Sequence, residues 1–224
     1  MVYPPSPWTL QGYALQTVQL IDVTRVRSLI PSEFDILCVL PGKTLGGVYV
    51  SYYSSDSVLE YSELIIVAGI VRYSGRIGGW VSHIYVDNVD SVAGGREIWG
   101  LPKELAEFTW EKSNRSASAY ENHVLVRQGE QMLCRLDYNR QKFGLQLPFS
   151  GEFFSTLSAS ILLFKGEFNS RIGIVDSQLQ VPPESPFASL DLEEPWLTIH
   201  CEPLRLVTGT PKIVGHRVGE FSYQ

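Results

Sequence analysis

The chain has 224 residues, and 18 Lys and Arg against 24 Asp and Glu give it a formal net charge of −6. This acidic balance argues against nucleic acid as a partner, because binding a polyanion begins with basic contacts to phosphate. A hydrophobic content of 44% with 19% charged residues excludes intrinsic disorder. No linker, repeat or low-complexity segment divides the sequence, so we predict a single domain over residues 1–224.

Short β-rich runs bounded by Gly, Pro, Asn or Asp dominate the sequence. They predict a mainly β fold, either a sandwich or a barrel. In chain order, the predicted strands are 14–23, 47–53, 63–73, 80–86, 107–112, 117–126, 131–138, 160–164, 171–179 and 196–207.

Helical signals are few. The first covers residues 24–30, which follow the capping residue Asp22 and stop at Pro31. The second covers residues 89–99, where Gly94-Gly95 is expected to break the helix. We therefore expect a mainly β fold that carries only a few short helices.

One long loop is predicted over residues 181–195, which hold four prolines and end in acidic residues. At about 15 residues it is near the length at which loops without structure usually have a function. The sequence leaves three roles open: a lid, an arm that packs on a neighbour, or a plain surface connection.

Cysteine usage and the amino terminus indicate a reducing compartment. The three cysteines, Cys38, Cys134 and Cys201, cannot all pair within the chain and stand among apolar neighbours, so we expect buried free thiols. The amino terminus has no basic start and no apolar run, which argues against a secretory signal. The longest apolar run, residues 64–71, is too short to cross a bilayer. These features predict a cytoplasmic protein without a transmembrane segment.

The histidines give no sign of a metal site. His83, His123, His200 and His216 are scattered, without the spacing that brings ligands together on a helix or a strand. We expect neither a metal nor another cofactor.

Two ionisable residues stand directly against apolar runs. Glu63 opens the run that continues to Val71, and Lys103 follows Trp99-Gly100-Leu101-Pro102. Apolar surroundings disfavour an ammonium group and favour the free amine, which attacks carbonyl carbons. Lys103 is therefore a candidate nucleophile.

The residues before Lys103 can aim its side chain. Pro102 restricts the backbone, and Gly100 allows it to turn sharply. The alternative is structural: most lysines beside apolar residues extend their amines to water, and Glu104 next to Lys103 would then form a solvated ion pair with it.

The stretch Gly95-Arg96-Glu97-Ile98-Trp99-Gly100-Leu101-Pro102-Lys103 resembles the signature of acetoacetate decarboxylases, in which the lysine after the proline forms a Schiff base with a β-keto acid. Tyr61-Ser62-Glu63 lines up with a segment of that family that carries an active-site glutamate. The resemblance spans about residues 6–110. It implies an antiparallel closed β-barrel or cone, a homo-oligomer, and Lys103 and Glu63 as catalytic residues.

A closer resemblance is to the decarboxylase-like proteins of plants and cyanobacteria known from neoxanthin deficiency. It implies a connection with carotenoid metabolism. The residues that carry it are 7–12, 30–31, 44–47, 63–71 and 100–102.

The sequence also departs from the decarboxylase pattern. The second of two adjacent lysines is Glu104 here, an anion that favours the ammonium form of its neighbour. An arginine near the start of the first strand is replaced by Gly12, and a second glutamate falls near Tyr49. An arginine is the usual clamp for a substrate carboxylate. Its possible substitutes are Arg72, Arg76 and Arg96.

Arg96 has two interpretations. It could bind the substrate carboxylate, or it could serve the structure by pairing with Glu97 or Glu104 or by donating to strand carbonyls. Tyr49, Tyr61 and Trp99 complete the candidate substrate-binding set.

Two main functions remain open. The first is a Schiff-base enzyme resembling a carboxy-lyase that acts on a keto acid or a related carbonyl compound, with Lys103 as nucleophile and Glu63 as proton donor or acceptor, helped by Tyr61 or Tyr49. The second is a non-catalytic protein that binds an apolar carbonyl or isoprenoid compound. Its pocket would be lined by aromatic residues such as Tyr49, Tyr52, Trp80 and Trp99. A third, purely structural reading makes the chain a component of an oligomer.

Overall fold

The structure is a computed structural model that describes residues 3–112 and 119–217. It is mainly β with a few short helices, as predicted. The strands are β1 (Trp8–Asp22), β2 (Asp35–Ile36), β3 (Lys43–Tyr53), β4 (Tyr61–Tyr73), β5 (Arg76–Val86), β6 (Lys103–Leu105), β7 (Glu107–Lys112), β8 (Asn122–Gln128), β9 (Gln131–Tyr138), β10 (Leu145–Leu157), β11 (Ser160–Val175), β12 (Ser177–Gln180), β13 (Leu197–Thr208) and β14 (Lys212–His216). The helices are α1 (Val23–Val26) and α2 (Val89–Trp99), with 3-10 turns at Arg27–Leu29 and Ala188–Leu190. Among these residues, no helix is long and apolar enough to span a membrane.

Seven strands close into a ring through backbone hydrogen bonds. Their order is β4-β3-β1-β13-β11-β10-β5, and β5 pairs again with β4. The pairs around the ring are antiparallel except β5 with β10, which run parallel through Phe153 opposite Gly79 and Phe154 opposite Trp80. The ring matches the expected barrel and adds one short parallel seam.

Both faces of β4 are buried, which explains its nearly continuous apolar sequence. Successive side chains of a strand point to opposite faces. Glu63 and Ile65 therefore line the inside of the ring, whereas Leu64 and Ile66 point outward into the largest core cluster. A second sheet, in the order β12-β9-β8-β7, packs on that outer face through Val124, Val126, Leu133 and Leu136.

The segment 181–195 packs on the same outer core. Phe187, Leu190 and Leu192 are each at most 1% exposed, and the side-chain amide of Gln19 donates a hydrogen bond of 2.9 Å to the Leu192 carbonyl. Of the three roles left open by the sequence, this arrangement supports a packed surface connection.

Helix α2 runs unbroken through Gly94-Gly95, so the prediction of a break there is wrong. A Cβ at Gly94 would lie 2.6 Å from the Trp8 ring, so glycine allows the helix to pack closely on β1. Asn88 caps the helix, since its side-chain oxygen accepts the backbone N–H groups of Asp90 and Ser91. Capping and packing outweigh the cost of about 1 kcal/mol for a glycine inside a helix.

Two predicted strands, 160–164 and 171–179, are largely parts of one long strand, β11, and β10 beside it was not predicted. Pro148 and Gly151 lie in β10, and both residue types are depleted in strands. The predicted strand 117–126 begins outside the described residues, and β8 starts at Asn122. The predicted helix 24–30 is replaced by α1 and the 3-10 turn that follows it.

Two of the three cysteines are buried, as predicted. Burial raises the pKa of the Cys134 thiol to about 12, and Cys201 lies in the wall of the ring. The prediction is wrong for Cys38, which is exposed. All three are free thiols.

A buried histidine on β13 couples stability to pH. His200 is 4% exposed, its ring lies 6.0 Å from that of Tyr138, and its Nδ1 has no hydrogen-bond partner among the described residues. Burial lowers the pKa of His200 below 6.5, against the opposing effect of the Glu202 carboxylate. The folded state therefore holds this imidazole neutral at pH values where the unfolded chain already takes up a proton.

We expect the free energy of unfolding to fall as the pH drops below about 6.5, because the proton binds preferentially to the unfolded chain. A His200→Leu variant should lose less stability than the unmodified protein between about pH 7.5 and about pH 5.5. Urea denaturation at both pH values measures this. The exposed His216 offers a control variant, His216→Gln, which removes a histidine and leaves the buried imidazole of His200 in place. Equal losses in His200→Leu and the unmodified protein would contradict the assignment.

Candidate active site

The turn between α2 and β6 positions Lys103. Gly100 ends the helix in the left-handed conformation, with φ at 61°. The backbone N–H groups of Gly100 and Leu101 donate to the carbonyls of Arg96 and Gly95 at 3.2 and 3.0 Å. Lys103 then opens β6 and pairs with Ile84 of β5. The side chain is thereby directed from the sheet back toward the helix.

Arg96 is exposed and holds this turn in place. Its Nε donates a hydrogen bond of 2.7 Å to the Lys103 carbonyl oxygen, as in the structural alternative, and it is not among the residues that line the cavity described below. The two other candidate clamps, Arg72 and Arg76, are likewise exposed and outside that lining.

Lys103 and Glu63 form a buried ion pair. Lys103 is 3% exposed and Glu63 is 5% exposed, and the Lys103 Nζ lies 2.7 Å from Glu63 Oε1. The same amine donates to the Ser91 hydroxyl at 2.9 Å and lies 5.0 Å from the centre of the Tyr61 ring. The alternative of a lysine extended to solvent is therefore wrong.

Glu104 does not take part in this pair. Strand alternation turns its side chain to the exposed side of β6, where its carboxylate accepts a hydrogen bond from the Gln128 amide. The anion that faces Lys103 is thus Glu63, from a strand 40 residues earlier in the chain.

Glycine at position 95 makes room for the lysine side chain. A Cβ there would lie 2.7 Å from Lys103 Cε. Ser91 is one helical turn earlier on the same face of α2, so it reaches the amine at the end of that side chain. Helix α2 therefore supplies both the space for Lys103 and one of its hydrogen-bond partners.

Tyrosines extend the polar group from Glu63. The Tyr53 hydroxyl donates to Glu63 Oε2 at 3.3 Å, and the Tyr49 and Tyr53 hydroxyls lie 3.0 Å apart. Burial raises the pKa of Tyr49, Tyr53 and Tyr61 well above 10, and the Glu63 charge raises it further. All three phenols stay protonated near neutral pH and can donate hydrogen bonds.

This polar group lies in the wall of a cavity of about 350 Å³ inside the ring. Predicted site residues Tyr49, Tyr61, Glu63, Trp99 and Lys103 all contribute to its wall. Most of the remaining wall is apolar, with contributions from Trp8, Leu10, Ile65, Val67, Val81, Ile84, Leu101, Phe149, Phe153, Phe164, Phe168, Ile172, Ile199, Leu204 and Leu206.

Two aromatic residues predicted to line a pocket lie elsewhere. Trp80 belongs to the outer core cluster, where its indole N–H donates to the Leu29 carbonyl at 2.9 Å. The Tyr52 hydroxyl donates to Glu60 Oε1 at 2.6 Å near the surface. Both point away from the inside of the ring because of their positions in the strand alternation.

Three residues that contact the ion pair were not predicted: Ser91, Tyr53 and Trp8. Tyr53 shares strand parity with Tyr49, so alternation along β3 was a usable signal. Ser91 shares a helix face with Gly95, four residues later. The sequence predicts a break in α2 at Gly94-Gly95, and a broken helix would not place these two residues on one face. Trp8 lies 5.7 Å from the Lys103 amine and close to the Trp99 ring, and only the fold brings it there.

Within residues 3–112 and 119–217, no group of three or more His, Cys, Asp and Glu side chains could hold a metal ion. The side chains in the cavity wall supply a nucleophile and acid–base groups. An amine, a carboxylate and neutral phenols meet in a low-dielectric cavity, where charge interactions are stronger than in water.

Comparison with known proteins identifies relatives of the chain. The family model for acetoacetate decarboxylase (ADC) matches residues 1–144. The chain is 31% identical over 107 residues to the protein NEOXANTHIN-DEFICIENT 1 of Arabidopsis thaliana, covering 48% of this chain and 38% of that protein. It is 49% identical over 88 residues to the acetoacetate decarboxylase of Burkholderia vietnamiensis, covering 39% and 34%. The matches thus cover less than half of either relative.

Solved structures share the fold over nearly the whole chain. The crystal structure of acetoacetate decarboxylase from Legionella pneumophila superposes with a TM-score of 0.76 at 17% identity, covering 96% of this chain and 90% of that one. An acetoacetate decarboxylase-like enzyme from Sphingomonas wittichii gives 0.66 at 12% identity, covering 95% and 94%. At these identities the likeness establishes a common fold.

Removing one partner of the buried ion pair should destabilise the protein strongly. We expect Lys103→Met to lower the free energy of unfolding by about 3–5 kcal/mol, because Glu63 then stays buried without a counter-charge. The double variant Lys103→Met/Glu63→Leu should recover most of that loss, since it leaves no unpaired charge. Urea denaturation of both variants and the unmodified protein measures the difference. A double variant no more stable than Lys103→Met would show that the pair is not the cause.

Proposed function

Because this chain belongs to the acetoacetate decarboxylase family, we propose that Lys103 forms a Schiff base with a keto acid or a related carbonyl compound and that the protein acts as a lyase on it. The observation that carries the proposal is the 2.7 Å contact between buried Lys103 and buried Glu63 in the wall of a largely apolar cavity. Assembly as a homo-oligomer and a cytoplasmic location stay predictions.

The first step transfers a proton from the Lys103 ammonium group to the Glu63 carboxylate across the contact between them. The free amine then attacks the carbonyl carbon of the substrate. The carbonyl oxygen leaves as water after it takes up protons, one of them from Glu63, and a protonated imine remains. The hydrogen bond from Tyr53 holds the Glu63 carboxyl group in position during these transfers.

The protonated imine then accepts an electron pair. In a β-keto acid, the bond to the carboxylate breaks, carbon dioxide leaves, and its bonding electrons form an enamine. Glu63, now a carboxylate, takes up a proton from solvent water and is placed to pass it to the enamine carbon, so that the reaction consumes one proton overall. Water finally hydrolyses the imine, which releases the ketone and restores the Lys103 amine.

Borohydride reduction tests the covalent step. We expect reduction in the presence of acetoacetate or pyruvate to add the mass of the reduced adduct to the peptide that contains Lys103. Glu63→Gln should slow this trapping about 10²–10⁴-fold, the usual contribution of a general acid or base. Peptide mass spectrometry gives the site and the rate of labelling.

Two matched variants control the trapping experiment. Lys103→Arg should abolish labelling, and Lys165→Arg, at a half-exposed lysine on β11, should leave it unchanged. If none of the tested carbonyl compounds leaves a borohydride-stable adduct, the Schiff-base proposal is wrong for those compounds.

A second candidate function is retention of an apolar carbonyl or isoprenoid compound without reaction. Two observations favour it: the wall of the cavity is mostly apolar, and Lys103 is already engaged by Glu63 and Ser91. The relation to NEOXANTHIN-DEFICIENT 1 proteins connects this candidate with carotenoid metabolism.

Pigment bound to the purified protein distinguishes the two candidates. After expression in a carotenoid-producing host, the binding function predicts coloured protein and an extractable isoprenoid in a near-stoichiometric amount. A cavity-narrowing Gly151→Leu variant should lose the pigment. Colourless protein without extractable isoprenoid, together with borohydride labelling, would favour the Schiff-base enzyme.

A further inference from the structure

The geometry points to a neutral, apolar ketone or aldehyde as the ligand of this cavity, with its carbonyl carbon at Lys103 and its chain along a wall that ends at Phe149. This inference rests on the proposed Schiff-base function, because it names the class of carbonyl compound that Lys103 accepts. A ligand of this class differs from a small keto acid in charge and in length, and the residues of the cavity wall can distinguish ligands by both properties.

The charge of the cavity wall disfavours an anionic substrate. Among the described residues that line the cavity, Lys103 is the sole cation and Glu63 the sole carboxylate, and they already neutralise each other. A substrate carboxylate would add a second anion beside Glu63 with no cation to pair with it. Burial of an unpaired charge in apolar surroundings is strongly unfavourable. A neutral carbonyl compound avoids this penalty.

The backbone also excludes any side chain, and therefore a cationic clamp, at Gly12 of β1. A Cβ at Gly12 would clash with the carbonyl oxygen of Tyr52 on the neighbouring strand. Glycine is therefore required by the close approach of β1 and β3. At this position of β1, the backbone therefore leaves no room for a cationic side chain.

The length of the cavity fits a chain longer than that of acetoacetate. Leu10, Leu206, Phe168 and Phe149 occupy matched register positions on the adjacent strands β1, β13, β11 and β10, and all four line the cavity. Neighbouring strands lie about 4.8 Å apart, so this row follows the curved wall of the ring for about 14 Å. Its first member lies two residues from Trp8, whose ring is 5.7 Å from the Lys103 amine.

The far end of the row is the exposed end. Phe149 is 41% exposed and stacks on Phe168 with ring centres 4.6 Å apart. In the described residues, β10 pairs with β5 only at Phe153 and Phe154, so the part of β10 that holds Phe149 lacks a partner on that side. A ligand chain that starts at Lys103 would therefore end near solvent at Phe149.

Imine formation needs no carboxylate. The Lys103 nitrogen bonds to the carbonyl carbon, the carbonyl oxygen leaves as water, and the two hydrogens of that water come from the amine and from the Glu63 carboxyl group. Borohydride then supplies hydride to the imine carbon and fixes the adduct as a secondary amine. The binding preference can thus be read from trapping alone.

The experiment compares half-saturating concentrations for borohydride trapping at Lys103. Methyl isobutyl ketone is the neutral counterpart of acetoacetate, with methyl groups in place of the carboxylate oxygens. We expect it to half-saturate at a concentration at least tenfold lower than acetoacetate. Along acetone, butanone and methyl hexyl ketone, the half-saturating concentration should fall about fourfold for each added methylene, the effect of burying one such group.

Gly151 offers a variant that shortens the cavity. It lines the cavity two residues from Phe149, and a Cβ there would make only ordinary contacts with the Phe153 ring, at 3.5 Å. Gly151→Leu should raise the half-saturating concentration of methyl hexyl ketone at least tenfold and change that of acetone less than twofold. The exposed neighbour Glu152 points to the other face, so Glu152→Leu is the control. If Gly151→Leu does not fold, the smaller Gly151→Ala should give a shift in the same direction.

The outcomes separate this inference from the proposed function. Trapping of acetoacetate at concentrations equal to or below those for methyl isobutyl ketone would overturn the inference and leave the Schiff base in place. The inference would also be overturned if Glu152→Leu raised the half-saturating concentration of methyl hexyl ketone as much as Gly151→Leu does.

If no compound is trapped, the Schiff-base function fails, and quenching of the fluorescence of Trp8 and Trp99 by the ketones decides the ligand class. Saturable quenching weakened by Gly151→Leu supports an apolar ligand, and its absence overturns it.

Discussion

The buried ion pair between Lys103 and Glu63 is the constraint on which the rest of the site depends. Taking two charges out of water costs several kcal/mol for each ion, and their attraction compensates only when the geometry is close and the remaining groups are hydrogen-bonded. Ser91 and Tyr53 meet that requirement, one at each partner. Glycine at position 95 provides the space. Local features of α2, β3, β4 and β6 thus serve one electrostatic contact.

The ring encloses a cavity around this pair, and the largest core cluster lies outside the ring. The largest core cluster joins the outer face of β3 and β4 to the second sheet and to the segment 181–195. Inside the ring, the cavity wall forgoes the dispersion contacts that a filled interior would make. Along β4, successive side chains alternate between the two sides: Leu64 packs in the outer core, whereas Glu63 and Ile65 line the cavity.

Residues beside distinctive neighbours could be predicted, whereas partners distant in the chain could not. Lys103 and Glu63 stood out because each ionisable group adjoins an apolar run, and the resemblance to decarboxylases supported them. Ser91 and Tyr53 carry no such mark, because a serine in a helix or a tyrosine in a strand is ordinary. Arg96 was open to two interpretations, and its contact with the Lys103 carbonyl supports the structural one. The aromatic character of Trp80 suggests a place in the pocket wall, but strand parity places it in the outer core.

The sequence by itself determined the mainly β class, the family resemblance and the turn that aims Lys103, because these depend on short-range patterns and on residue types such as Gly100 and Pro102. The tertiary structure decided which anion faces the lysine. Glu104 is adjacent in the chain but points to solvent, and Glu63 reaches the amine from β4. The reason is geometric: strand alternation separates chain neighbours onto opposite faces, and closure of the ring brings distant strands to one cavity.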